Sequence, residues 1–175
     1  MVVKSFVRRE IEANAQCATC EELKRYAIYD PRILRRNSAC ITVLSSMPKE
    51  LGHVNIIPKK HYRDISEIPP SEYVLLMNAF RDILSAITNG LTTAHSTLSI
   101  NTNSSQFKIG AKGHVDSKGR SGNHLVFEIV PILKDPHHLP LDVAMLRTSI
   151  MRGRELNSAD YDHIKEILGL FRNFD

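Results

Sequence analysis

The sequence predicts an α+β fold, an antiparallel sheet of about five strands with helices on one side. Three observations predict it. Residues His124-Leu125-Val126-Phe127-Glu128-Ile129-Val130 alternate at period two, which puts Leu125, Phe127 and Ile129 on a face suited to a core and His124, Val126 and Glu128 on the other. Two further runs, 39–45 and 53–57, are rich in β-branched residues and read as an antiparallel pair, the second ended by Pro58. Pro69-Pro70-Ser71-Glu72 opens the clearest helix, with Tyr73, Leu76, Met77, Phe80, Ile83, Leu84 and Ile87 at spacings of three and four. Asn89-Gly90 reads as its stop, and its apolar stripe is expected to cover one face of the sheet.

The remaining elements follow in order. Residues 1–15 are a charged, weakly helical lead-in, and after Cys17-Ala18-Thr19-Cys20 the stretch Glu21 to Tyr26 can start a short helix. Thr97 to Thr102 reads as a strand, and the polar stretch from Asn103 to Lys118 as a loop, a candidate lid or partner loop. Pro131, Pro136, His137, His138 and Pro140 mark an irregular crossing. Ser158 is expected to cap a final helix in which Tyr161, Ile164, Leu168 and Phe171 repeat at helical spacing. This divides the chain into an N-terminal extension at 1–15, one domain at 16–140 and a C-terminal extension at 141–175 with a terminal helix.

A chain of 175 residues, 42% of them hydrophobic, is long enough for one domain with a substantial core. No apolar run approaches the length of a membrane span, and the charged start from Met1 to Glu10 lacks an apolar signal core, so the expectation is a soluble, cytoplasmic protein with no membrane partner. The net charge of +4, from 23 Lys and Arg against 19 Asp and Glu, favours anionic ligands but does not identify nucleic acid. Basic residues gather at Arg8-Arg9, from Arg32 to Arg36 and at Lys59-Lys60; aromatics are 6% and tryptophan is absent, so the stacking platform of a single-strand binder is not visible.

Three cysteines, two of them in Cys-x-x-Cys, do not make a secreted disulfide framework and point to metal or redox chemistry in a reducing compartment. Cys17 and Cys20 supply two thiolates at a common metal-ligand spacing, and two imidazoles would complete a closed tetrahedral site. The alternative is a reduced or redox-active pair. A thioredoxin-like role needs a strand before the motif, and residues 1–16 are too polar for one. Cys40, inside an apolar strand, reads as a buried small hydrophobe.

The run from His124 to Pro131 resembles the signature of the histidine triad (HIT) superfamily, His-x-His-x-His, with only the first histidine kept. Gly52-His53-Val54-Asn55-Ile56-Ile57-Pro58-Lys59-Lys60-His61 looks like the family's Gly-His-strand-Ile-Pro-Lys-x-His segment, and Ser99-Ile100-Asn101 matches the strand ending in a nucleotide-contacting Asn. With the Cys-x-x-Cys, the likeness spans residues 17 to 131 in family order. The resemblance implies a HIT-like α+β domain that pairs as a homodimer. It also implies a structural Zn2+ held by Cys17, Cys20, His61 and His124, and a phosphate subsite at Asn101, Gly119 and Ser121. In the family the middle histidine is the nucleophile that is nucleotidylated, and Val126 stands there; Glu128 replaces the third histidine.

Three functional readings follow. The favoured one is a degenerate HIT-like protein that holds structural zinc and binds a nucleoside phosphate or related anion without forming nucleotidyl-histidine. The second is a hydrolase or nucleotidyl transferase with a remodelled site, in which Glu128 or a bound water replaces the lost imidazole. The third is a nucleic-acid or protein interaction module using the basic face and the stretch 103–118. Glu128 is the catalytic candidate, although a carboxylate repels phosphate unless it is protonated or paired. His53 is expected to sit beside the core, and His95, His114 and His163 to face solvent.

Overall fold

A computed structural model of the chain describes residues 17–26, 30–92, 107–115, 121–133 and 139–170. Five strands, β1 (Ile33–Arg36), β2 (Cys40–Leu44), β3 (Val54–Pro58), β4 (Phe107–Val115) and β5 (Ser121–Ile129), form one antiparallel sheet in the order β1-β2-β3-β5-β4. Four α-helices accompany it: α1 (Ala18–Tyr26), α2 (Pro70–Thr92), α3 (Leu141–Met151) and α4 (Ser158–Ile167). The α+β class and the strand number are as expected.

The period-two alternation of β5 is realised as read. Leu125, Phe127 and Ile129 join Cys40, Leu44, Val54 and Ile56 in one apolar cluster with Leu76, Ala79, Ile83, Ile87 and Leu91 of α2. Helices α3 and α4 share that core through Val143, Leu146, Ile150, Tyr161 and Ile164. Helix α1 departs from the one-sided arrangement. Its Leu23 and Tyr26 cluster with Ile33, Ile41, Val43, Ile57 and Val126, which alternate with the core-facing residues. The reason lies in the central strands: all five residues of β2 and all five of β3 are buried, so both faces need a cover.

Several boundaries differ from the sequence reading. The stretch Asn103 to Lys118 is no simple loop, because β4 occupies 107–115 and pairs with β5 along its whole length, from Phe107 opposite Ile129 to Val115 opposite Ser121. Its alternation of Phe107, Ile109 and Ala111 matches Ile129, Phe127 and Leu125 in register; the interleaved Lys and Gly hide the signal. Strand β1 and helix α3 are additional elements. The strand expected at 97–102 lies outside the described residues. Helix α4 is capped by Asn157, whose side chain accepts from the Asp160 N–H while Asp160 reaches back to the Asn157 N–H; Ser158 is the first helical residue.

Gly90 does not stop α2, which runs on to Thr92. A Cβ at position 90 would lie 2.2 Å from the backbone oxygen of Ile167 and 2.8 Å from the Cα of Leu168. The glycine is a contact point where α4 crosses α2 too closely for any side chain.

Candidate metal centre and a polar cluster on the same strand face

Local structure brings the expected donors together. Cys17 immediately precedes α1, and its Sγ accepts the backbone N–H of Cys20 at 3.4 Å, as a helix cap does. Both sulfurs therefore sit at the helix start. Beyond β3, the Lys59 N–H bonds the Ala39 carbonyl at 2.8 Å and the Leu125 N–H bonds the Tyr62 carbonyl at 2.7 Å. These two bonds lay the segment carrying His61 beside the start of β5, where His124 is fully buried.

The Cys20 Sγ lies 3.3 Å from His61 Nδ1 and 3.4 Å from His124 Nδ1, and the Cys17 Sγ lies 3.8 Å from His124 Nδ1. One ligand atom from each of the four residues falls within 4.8 Å of all the others. A tetrahedral site with Zn–S of about 2.3 Å and Zn–N of about 2.0–2.1 Å has donor-to-donor edges of roughly 3.3–3.8 Å. The three sulfur–nitrogen separations have that size, and the remaining ones stay within 4.8 Å. The two imidazoles meet edge to face, 5.1 Å between centroids at 88°, so each can aim a nitrogen at one point without stacking.

The protonation pattern also fits a cation. His124 Nε2 is 2.9 Å from the Pro58 carbonyl, an acceptor, so Nε2 carries the proton and Nδ1 presents its lone pair to the sulfurs. Burial pushes the His124 pKa down to about 4, with the Pro58 carbonyl opposing and His61 adding to the shift. Burial, with Arg63 nearby, lowers His61 as well. Neutral imidazoles beside thiols are a donor set ready for a metal. Cys40 is apart from this: burial raises its thiol to about 11, which makes it inert, in line with its reading as a small hydrophobe.

At the other end of the same face lies a second polar group. Glu128 is nearly buried, and the Lys49 Nζ donates to both of its oxygens at 3.1 Å. His53 Nε2 is 3.0 Å from Glu128 Oε1, while His53 Nδ1 accepts the Lys49 backbone N–H at 3.1 Å. The backbone donor thus fixes the proton on Nε2, the ring nitrogen that lies near the carboxylate. Gly52, at φ 78°, makes the turn that swings His53 into this position, closed by the His53 N–H to the Glu50 carbonyl at 3.1 Å. Asn55 sits opposite Glu128 in the β3–β5 register, also buried. Between the two ends, Val126 packs in the apolar cluster beneath α1.

The structure therefore assembles Cys17, Cys20, His61 and His124 as expected, and sets Glu128 on their strand face but in a separate group. Asn101 and Gly119 lie outside the described residues; Ser121 opens β5, with its side chain outside them too. His53 does more than border the core, and His163 is one-third exposed and paired with Asp142 and Glu166. Lys49 and Asn55 had not been singled out, although a lone Asn inside Val54-Asn55-Ile56-Ile57 is a signal, being a poor strand former in an apolar run. Of the basic residues, Arg32 forks onto Asp30 and lies over the Tyr26 ring, Arg35 pairs with Asp82 and Lys60 with Glu72. Much of the basic face is internally neutralised. Among the described residues, no helix is long and apolar enough to cross a membrane.

No protein-family model and no curated protein matches the sequence. Solved structures do match in fold. A hypothetical histidine triad nucleotide-binding protein from Sulfolobus tokodaii aligns with TM-score 0.54 at 18% identity, over 87% of this chain and 89% of its own. A zinc-bound histidine triad family protein from Mycobacterium smegmatis aligns with TM-score 0.52 at 17% identity, over 87% and 93%. A uridylyltransferase mutant aligns with TM-score 0.54 at 16% identity, over 95% of this chain but 52% of its own, so the chain spans about half of it. The fold is that of the histidine triad proteins.

Proposed function

We propose that this chain of histidine-triad fold is a zinc-holding, nucleotide-binding protein that lacks the family's covalent chemistry. Cys17, Cys20, His61 and His124 hold one structural Zn2+, and a nucleoside phosphate or similar anion binds on the same strand face. The observation that carries the metal reading is the His124 tautomer: with Nε2–H given to the Pro58 carbonyl, the Nδ1 lone pair faces two sulfurs 3.4 and 3.8 Å away. Two buried thiols and two neutral imidazoles facing inward are stabilised together by a cation. Zinc supplies a closed four-ligand cross-link here and holds the sulfurs as thiolates. A thiolate centre also favours a reducing compartment such as the cytoplasm.

The nucleotide part rests on the fold and on the pairing of Glu128. A free carboxylate at that position would repel phosphate, but Lys49 offsets its charge. The same pairing argues against Glu128 as a general base, since both oxygens are already occupied by the ammonium. Val126 has neither lone pair nor transferable proton, so no nucleotidyl-histidine forms there.

Elemental analysis of the purified protein should find one zinc per chain, lost in Cys20→Ser and His124→Ala and kept in Glu128→Gln. AMP or GMP should raise the melting temperature of the zinc-loaded protein while adenosine phosphoramidate is not turned over. A wild-type preparation free of stoichiometric transition metal would sink the metal reading, and turnover abolished by Glu128→Gln would replace the binder with an enzyme.

A further inference from the structure

His61 differs from the other three donors of the cage. Cys17, Cys20 and His124 are buried, whereas His61 is partly exposed. A closed four-donor site gives up its ion only when a donor swings away, and the ring nearest solvent is the one with room to do so. Whatever holds His61 in place therefore decides how long an ion stays.

His61 stands at the tip of a three-residue turn, closed by the Tyr62 N–H to the Lys60 carbonyl at 3.1 Å. A single backbone bond of this kind is a modest restraint. Both outer residues of the turn reach the same carboxylate: Lys60 Nζ donates to Glu72 Oε1 at 2.8 Å, and Tyr62 Oη donates to Glu72 Oε2 at 2.9 Å. Glu72 lies in the first turn of α2, a helix seated in the main core through Leu76, Ile83 and Ile87, and the Tyr62 ring belongs to that core as well.

An acidic residue in the first turn of a helix is favourable for the helix itself. That accounts for a carboxylate at this place, but not for its two oxygens being given to the two chain neighbours of one metal donor. The side chains of Lys60 and Glu72 are 46% and 19% exposed, so their ion pair contributes little to the stability of the fold. Its effect falls on the turn between them and the cage.

We infer that Glu72 is a positioning residue of the metal centre: through Lys60 and Tyr62 it clamps the His61 turn against the cage and sets how slowly Zn2+ leaves. This rests on the zinc reading above. Groups that bond a metal-bound side chain directly are worth roughly 10–100-fold in metal affinity, and Glu72, acting through the neighbours of His61, belongs at the lower end of that range.

The full chain loaded with Zn2+ and mixed with an excess of a chromogenic pyridylazo chelator reports the rate of metal release. Glu72→Ala should release zinc roughly ten-fold faster than wild type. Glu72→Gln, which keeps one acceptor oxygen and the shape of the side chain, should fall between the two, and it carries the test alone if the alanine chain does not fold. Lys60→Met combined with Tyr62→Phe should reproduce Glu72→Ala, and adding Glu72→Ala to that pair should bring no further acceleration, because all three act through one clamp. Asp82→Ala, which breaks the other ion pair described here between α2 and the sheet, with Arg35, should release zinc at the wild-type rate. Release from the Glu72 variants at the wild-type rate overturns the clamp and leaves the zinc reading standing, and so does an Asp82→Ala chain as fast as Glu72→Ala, which marks general loosening of the helix. A wild-type chain that holds no zinc overturns the zinc reading and the clamp with it.

Discussion

Val126 shows how much a single side chain decides in this site. It stands two residues from His124 and two from Glu128 on one strand face, at about 7 Å from each, and it is packed against Leu23, Tyr26, Ile41, Val43 and Ile57. The surround of this position is apolar, so it is part of a small second core. Placing a histidine there should therefore fail to create chemistry. Val126→His is expected to lower unfolding free energy by about 1–3 kcal/mol through overpacking and an unpaired ring nitrogen, read by urea denaturation, with no gain in phosphoramidate turnover. At this scale the sequence was legible in two ways: alternation along β5 and the Cys17-x-x-Cys20 spacing are properties of residues alone, whereas His61 and His124 were reached only through the resemblance to histidine triad proteins. Lys49 was not legible, since its link to Glu128 joins positions 79 apart with no local pattern.

Helices and strands were read less evenly, for physical reasons that differ from one to the next. Helix α2 announced itself through its stripe, and Leu76, Ile83 and Ile87 are buried as that stripe requires. Its end was misread because glycine serves two purposes: ending a helix and letting another backbone come close. Only the position of α4 distinguishes them. Gly90→Ala is thus expected to destabilise the fold by about 1–3 kcal/mol even though alanine is the better helix former, since the new Cβ meets backbone, which cannot rotate away. A chemical-denaturation midpoint equal to wild type would show that α4 moves freely on α2. Strand β4 was missed for the opposite reason: its signal is weak in sequence and becomes plain only through its pairing with β5. Helix α3 escaped notice because apolar residues occur around much of its circumference, with Leu141 and Met145 exposed and Val143 and Leu146 buried.

Across the whole molecule, the four-donor centre joins segments that are far apart in the chain. Cys20 and His61 are separated by 41 positions and Cys20 and His124 by 104, so one bound ion would close long loops that packing alone must otherwise hold. Such a cross-link would also seat α1, the cover of the second sheet face that encloses Val126. The class of fold was legible because both sheet faces and the main helix are written in local periodicity. The two-sided cover was not, because the burial of every residue in β2 and β3 depends on which elements come to rest on them.

One more link runs through the turn before β3. Glu50 accepts a two-pronged grip from Arg147 of α3, at 2.8 and 2.7 Å, while its neighbour Lys49 holds Glu128. Arg147→Ala should lower stability by about 1–3 kcal/mol, as expected for a partly buried bidentate pair, and should weaken GMP binding without altering zinc content; unchanged calorimetric affinity would show that the turn holds its shape unaided. Two consecutive side chains of opposite charge thus act as a hinge pin between α3 and β5. Damage or a bound partner at the third helix has a mechanical route to Glu128, which that helix grips only through the turn.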